Sequence, residues 1–63
     1  MPGPVRFSEV RRYMEGHGWT FSHVSGSHHV FKKPGERSFP VPVHHGKVHH
    51  VYYREIKKLC EGR

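Results

Sequence analysis

Sixty-three residues carry eleven Lys or Arg against five Glu and no Asp, a net charge of +6 with histidine neutral. A chain of about this length buries only ~60% of the surface it exposes when unfolded, which excludes a second domain or a large cofactor-binding fold. One cysteine, Cys60, excludes an internal disulfide and favours a reducing compartment, and the longest aliphatic-aromatic run, Val51 to Tyr53, is far too short to cross a bilayer. The expectation is a single soluble, cytoplasmic domain over residues 1–63, with residues 1–5 a flexible start.

After the Pro/Gly start, Phe7, Val10, Tyr13 and Met14 recur at helical spacing. Ser8 is the expected N-cap and Gly16 and Gly18 the stop, so a first helix is predicted over about residues 8–16. Trp19-Thr20-Phe21-Ser22-His23-Val24 alternates large apolar with small polar residues, as a half-buried strand does. Ser25-Gly26-Ser27 is turn chemistry, and a second strand follows from His28 to about Lys32. Pro34-Gly35-Glu36-Arg37 closes a hairpin into Ser38-Phe39-Pro40-Val41-Pro42-Val43. Two prolines two residues apart lack the same side's N–H groups, so this third strand is predicted at an edge, its Phe39/Val41/Val43 backbone facing the partner. Val51, Tyr52, Ile56, Leu59 and Cys60 mark a second amphipathic helix, whose other face carries Arg54, Lys57, Lys58 and Glu61. The order α-β-β-β-α is that of an α+β domain, a three-stranded antiparallel sheet with two helices on one face.

The charge excess points to a polyanionic partner: nucleic acid, or an acidic protein masking the same face. Solubility alone is the competing explanation. Metal-dependent nucleases hold divalent ions with clustered carboxylates, and five scattered Glu without Asp show no such ligand set. Eight His take the titratable positions instead.

Four pieces occur in one order at short spacing: Gly18-Trp19 after a helix, Gly26-Ser27-His28-His29-Val30-Phe31, Val41-Pro42-Val43-His44 with Gly46-Lys47, and Arg54-Glu55-Ile56-Lys57-Lys58. Together they resemble the HicA (YcfA-like) family over about residues 6–59. The resemblance implies a double-stranded-RNA-binding-domain-like fold, cleavage of mRNA, and a HicB-like antitoxin that holds the protein inactive. It also implies that the first His of Gly-Ser-His-His, here His28, is catalytic. The chain departs from the family at the start of the last helix, where His50-Val51-Tyr52-Tyr53-Arg54 replaces a Pro-Gly-Thr-Leu-Arg-like segment.

RNA carries its own nucleophile, the 2′-hydroxyl, so its cleavage needs a base, an acid for the leaving 5′-oxygen and positive charge at phosphorus. Imidazole titrates near neutrality and does either proton task without metal or cofactor. Neighbours in a strand point to opposite faces. Phe31 is expected to face the helices, which puts His29 on that buried side as a packed histidine with a satisfied ring nitrogen. His28, Val30 and Lys32 then occupy the open face. Gly26 and Ser27 supply a turn where a phosphodiester can approach, and Lys32 and Lys47 rank ahead of Lys33 and Arg37 as phosphate contacts. His44, His45, His49 and His50 form a second cluster. His44, at the family's Val-Pro-x-His position, is a candidate acid or RNA contact, whereas a metal site through His45 and His49 fits poorly with a lone Cys and diverging His-His pairs. Trp19, Tyr52 and Tyr53 are read mainly as core, with whichever tyrosine faces away from the sheet a possible stacking platform. The leading reading is a metal-independent ribonuclease toxin whose partners are mRNA and an acidic HicB-like antitoxin. A non-catalytic RNA-binding module of the same fold is the alternative, and a structural or metal-handling protein the third.

Overall fold

The computed structural model describes residues 3–62, so Met1 and Pro2 of the expected flexible start lie outside it. Along the chain come β1 (Val5–Arg6), α1 (Phe7–Glu15), β2 (Thr20–Ser25), β3 (His28–Lys32), β4 (Phe39–Pro42), β5 (Lys47–Val48) and α2 (His50–Cys60). β2, β3 and β4 form the antiparallel sheet in that spatial order, and two helices complete the α+β fold. The sequence contains no signal for β1 and β5, which pair Val5 with Val48 and Arg6 with Lys47 in a separate two-stranded ribbon. Two-residue strands are too short to show alternation.

α1 buries Val10 and Met14, four residues apart on one face. Its N-cap is Arg6, with no side-chain cap, rather than Ser8. The ribbon explains the difference: Phe7 N–H, one of the helix's free donors, binds the Gly46 carbonyl at 2.9 Å, satisfying from the far end of the chain what a cap would satisfy locally. At the other end Gly18 adopts φ +89°, Trp19 N–H reaches the Met14 carbonyl and Gly18 N–H the Glu15 carbonyl. This is a Schellman closure, and it drops Trp19 into the core beside Met14.

β2 turns into β3 through Gly26 and Ser27, with Ser25 paired to His28. Gly26 has φ +60° and Ser27 does not have positive φ, the pattern of a type II′ hairpin turn. Between Phe21 and His23 the register slips by one residue, a β-bulge at Ser22. β4 pairs only with β3, which makes it an edge strand, and Val43 N–H continues the ladder to the Ser27 carbonyl at 2.8 Å. The edge is where two prolines are tolerated. His44 and Lys47 then close a two-residue hairpin by mutual backbone hydrogen bonds of 2.9 Å, with His45 at φ +54° and Gly46 at φ +74°, a type I′ turn.

In α2 the inward face is Ile56, fully buried, with Tyr53, Leu59 and Cys60 half-buried beside it. Val51 and Tyr52, expected on that face, are instead exposed at 38% and 49%. The half-buried and buried positions of the helix are His50, Tyr53, Ile56, Leu59 and Cys60, and Val51 sits well off that stripe. Val10, Met14, Trp19, Phe31, Val41, Val43, Val48 and Ile56 form one core between the helices and the sheet's inner face. The Cα extents, 34 × 26 × 15 Å, are those of one sheet and one helix layer. No described helix is long and apolar enough to cross a membrane.

Candidate active site on the open sheet face

Register decides which side chains share the face away from the helices. His28 pairs with Ser25 and Pro42, Val30 with His23 and Pro40, and Lys32 with Thr20. Paired residues in an antiparallel sheet project to the same side, so these form one surface. Phe21, His29, Phe31, Phe39 and Val41 project to the other. The His29 ring confirms its side: it lies 4.4 Å from the ring of Phe7 and 5.7 Å from that of Phe21. The satisfied ring nitrogen expected for His29 is absent. Its Nδ1 is buried with no hydrogen-bond partner among the described residues, beside the rings of Phe7 and Phe21, which offer none.

On the open face His28 is exposed and begins β3 directly after the Gly26-Ser27 turn. A Cβ built at Gly26 would meet nothing within 4 Å, so its glycine serves the positive φ and the approach to His28 is unobstructed. Val30 is only 8% exposed, held among its neighbours as an apolar floor. Lys32 shares the face but stands four residues along the strand, about 13 Å from His28 at ~3.3 Å per residue. It is placed to meet a different phosphate from the one at His28.

His44 follows the Val43–Ser27 hydrogen bond, at the His28 end of the sheet. Lys47 lies outside the three-stranded sheet, on β5, and both line a shallow depression with Pro4, His45 and His49. The expected residues thus fall into two groups: Gly26, Ser27, His28 and Lys32 on the sheet, His44 and Lys47 on the adjoining turn. Lys33 lies across the Trp19 ring, 5.9 Å from its centroid, and away from this surface. Tyr53 packs edge-on against Tyr13 at 5.8 Å, which leaves Tyr52 as the tyrosine that faces solvent. Among the described residues no three His, Cys or Glu side chains come together to hold a metal ion.

His23, which nothing in the strand pattern singles out, also reaches the open face. Strict alternation from Phe21 points it at the helices, but the bulge turns it to the open face opposite Val30, where its Nδ1 is hydrogen-bonded to Ser22 Oγ at 2.9 Å. The available signal is the apolar spacing: Trp19, Phe21 and Val24 are separated by two and then three residues, and that extra residue is the bulge.

No curated protein and no solved structure matches the chain. Residues 7–60 match the family model described as the HicA toxin of bacterial toxin-antitoxin systems. With nearly the whole chain covered, from the first residue of α1 to the last of α2, the protein belongs to the HicA toxin family.

Proposed function

We propose that this toxin is an endoribonuclease that cleaves mRNA without a metal ion or other cofactor, with His28 as the general base. The observation that carries the reading is the position of His28: exposed, first in its strand, on the face away from the helices, beside a turn with open space around Gly26. A phosphodiester can approach that imidazole from solvent. His28 takes the proton of the 2′-hydroxyl, the 2′-oxygen bonds to phosphorus, and the P–O5′ bond breaks as the departing O5′ takes up a proton. The products are a 2′,3′-cyclic phosphate and a 5′-hydroxyl, and the reaction consumes no other reagent. Imidazole suits this proton transfer near neutral pH.

The donor set supports the metal-free mechanism, with no Asp in the chain and its five Glu scattered. Ser27 and the Gly26 backbone line the approach, while Lys32, His44 and Lys47 supply contacts along the RNA on either side. The family match supports an antitoxin partner. A HicB-like protein with an acidic surface complements a chain of charge +6 and would cover the face that binds RNA. Both would meet it in the cytoplasm.

The test is cleavage of single-stranded RNA by the purified protein in EDTA, with end-group analysis. Cyclic-phosphate ends formed at full rate in chelator are expected. Activity that vanishes with EDTA and returns with a divalent ion overturns the metal-free mechanism, and RNA that binds but stays intact favours a non-catalytic RNA-binding module. In cells, expression should stop growth and a co-expressed acidic partner restore it.

A further inference from the structure

The bulge at Ser22 leaves two imidazoles on one face. His23 stands opposite Val30 and His28 opposite Ser25, so the two histidines are diagonal neighbours on adjacent strands, a separation of about 7–8 Å between backbones. Both are exposed, and buried Val30 neighbours each of them, directly opposite His23 and two residues along β3 from His28. The Ser22 hydroxyl engages His23 Nδ1, which orients the ring and leaves Nε2 as its free proton-exchanging atom. A hydroxyl both donates and accepts, so it can hold the ring in either protonation state. The other groups on this face around His23 are Thr20 and Ser25 on β2, Lys32 and His28 on β3, and Pro40 on β4. None is a carboxylate.

We infer that His23 is the second proton-transfer group of the cleavage reaction, the acid that protonates the departing 5′-oxygen. The inference rests on the ribonuclease reading above. In an in-line displacement the attacking and leaving oxygens stand on opposite sides of phosphorus, so base and acid must flank the phosphate from two positions. His28 and His23 are two such positions, on adjacent strands beside the apolar Val30. His28 Nε2 or Nδ1 accepts the 2′-hydroxyl proton as the O2′–P bond forms. As P–O5′ breaks, His23 Nε2–H gives its proton to O5′. One proton enters the protein and one leaves it, so the pair ends with its protonation states exchanged and is reset through water.

The experiment compares wild type, His23→Ala and His28→Ala on two substrates. One is an all-oxygen RNA. The other carries sulfur in place of the bridging 5′-oxygen at the linkage the wild type cuts, so that the leaving thiolate needs no acid. On the oxygen substrate His23→Ala should lower kcat by about 10²–10⁴-fold and lose the high-pH limb of the rate profile. On the sulfur substrate it should recover to within about tenfold of wild type, while His28→Ala stays slow on both; the circular dichroism and melting curve of each variant establish that it is folded.

A His23→Ala protein as fast as wild type on oxygen RNA, with His28→Ala inactive, overturns the role of His23 and leaves the ribonuclease reading standing. Equal slowing on both substrates also overturns it, since that marks a binding role. A wild-type protein that cuts neither substrate overturns the ribonuclease reading and this inference with it.

Discussion

His28 and His29 are adjacent in one strand, yet one is bounded by solvent and the other by Phe7 and Phe21. Alternation alone separates them, and substitution should separate chemistry from folding. His28→Ala is expected to lower RNA cleavage by about 10²–10⁴-fold with RNA affinity and melting temperature nearly unchanged. His29→Ala should instead cost about 1–3 kcal/mol of stability through lost aromatic packing. Because His29 Nδ1 is buried without a partner, His29→Phe removes a desolvated polar atom and no hydrogen bond, so its melting temperature should equal or exceed that of wild type. Cleavage rate and thermal melts of the three variants check this. A marked loss of stability in His29→Phe would mean that the ring nitrogen has a partner in solution. The faces of His28 and His29 were legible from the sequence because Phe31 two residues on sets the phase of the strand. Ring satisfaction was not, since it depends on Phe7 and Phe21 arriving from other elements.

At the scale of elements, legibility followed length and periodicity. The helices and the three longer strands declare themselves through apolar spacing, and the edge position of β4 through Pro40 and Pro42. β1 and β5 do not, being two residues each, and yet their ribbon supplies the Gly46 carbonyl that starts α1 and so displaces Ser8 from its expected capping role. His23 was missed for a related reason: a single inserted residue reverses the face of everything that follows until the turn. α2 shows a further compromise. Its N-cap is His49, whose Nδ1 accepts from Val51 N–H at 3.2 Å, and its first turn holds no acidic residue. An imidazole caps only while that nitrogen is unprotonated, whereas a carboxylate is a stronger acceptor and complements the helix dipole. His49→Asp is therefore expected to raise stability by about 0.5–1 kcal/mol, and His49→Ala to lower it, as chemical denaturation at neutral pH would register.

For the whole molecule, the two-layer build makes alkaline pH a weak point. Burial raises the Cys60 thiol above its ordinary value of 9.0, Lys33 opposing and Glu61 reinforcing the shift. Burial likewise raises Tyr53 above 10.0, with the charges of Glu9, Tyr13 and Cys60 acting in the same direction. Both groups thus hold their protons more tightly folded than unfolded. Their contribution to stability is fully present below the unfolded values and is lost as pH rises through the folded ones. The melting temperature should fall as pH climbs past about 9–10, and Cys60 should alkylate more slowly in the folded protein than in urea at pH 8. A thiol equally reactive in both states would contradict its partial burial on α2's inner face.

The thin build also leaves one broad side of the sheet for a partner. The proposed partners, RNA and an acidic antitoxin, would both bring negative charge, and the chain offers +6 to either. If RNA lies along the open face from His28 toward Lys32, with Lys47 and Arg6 on the adjoining ribbon, a complex neutralises about three phosphates. For single strands the affinity should then fall with salt at a log–log slope of about −2. Lys32→Ala should make that slope shallower by about 0.7, the share of one phosphate contact. His28→Ala should leave it unchanged, because the imidazole acts on a proton and does not neutralise a phosphate. Fluorescence anisotropy with a noncleavable 2′-O-methyl RNA from 50 to 300 mM salt measures all three. An unaltered slope for Lys32→Ala would move the RNA off this end of the sheet, whereas a shallower slope for His28→Ala would show that His28 binds as a cation.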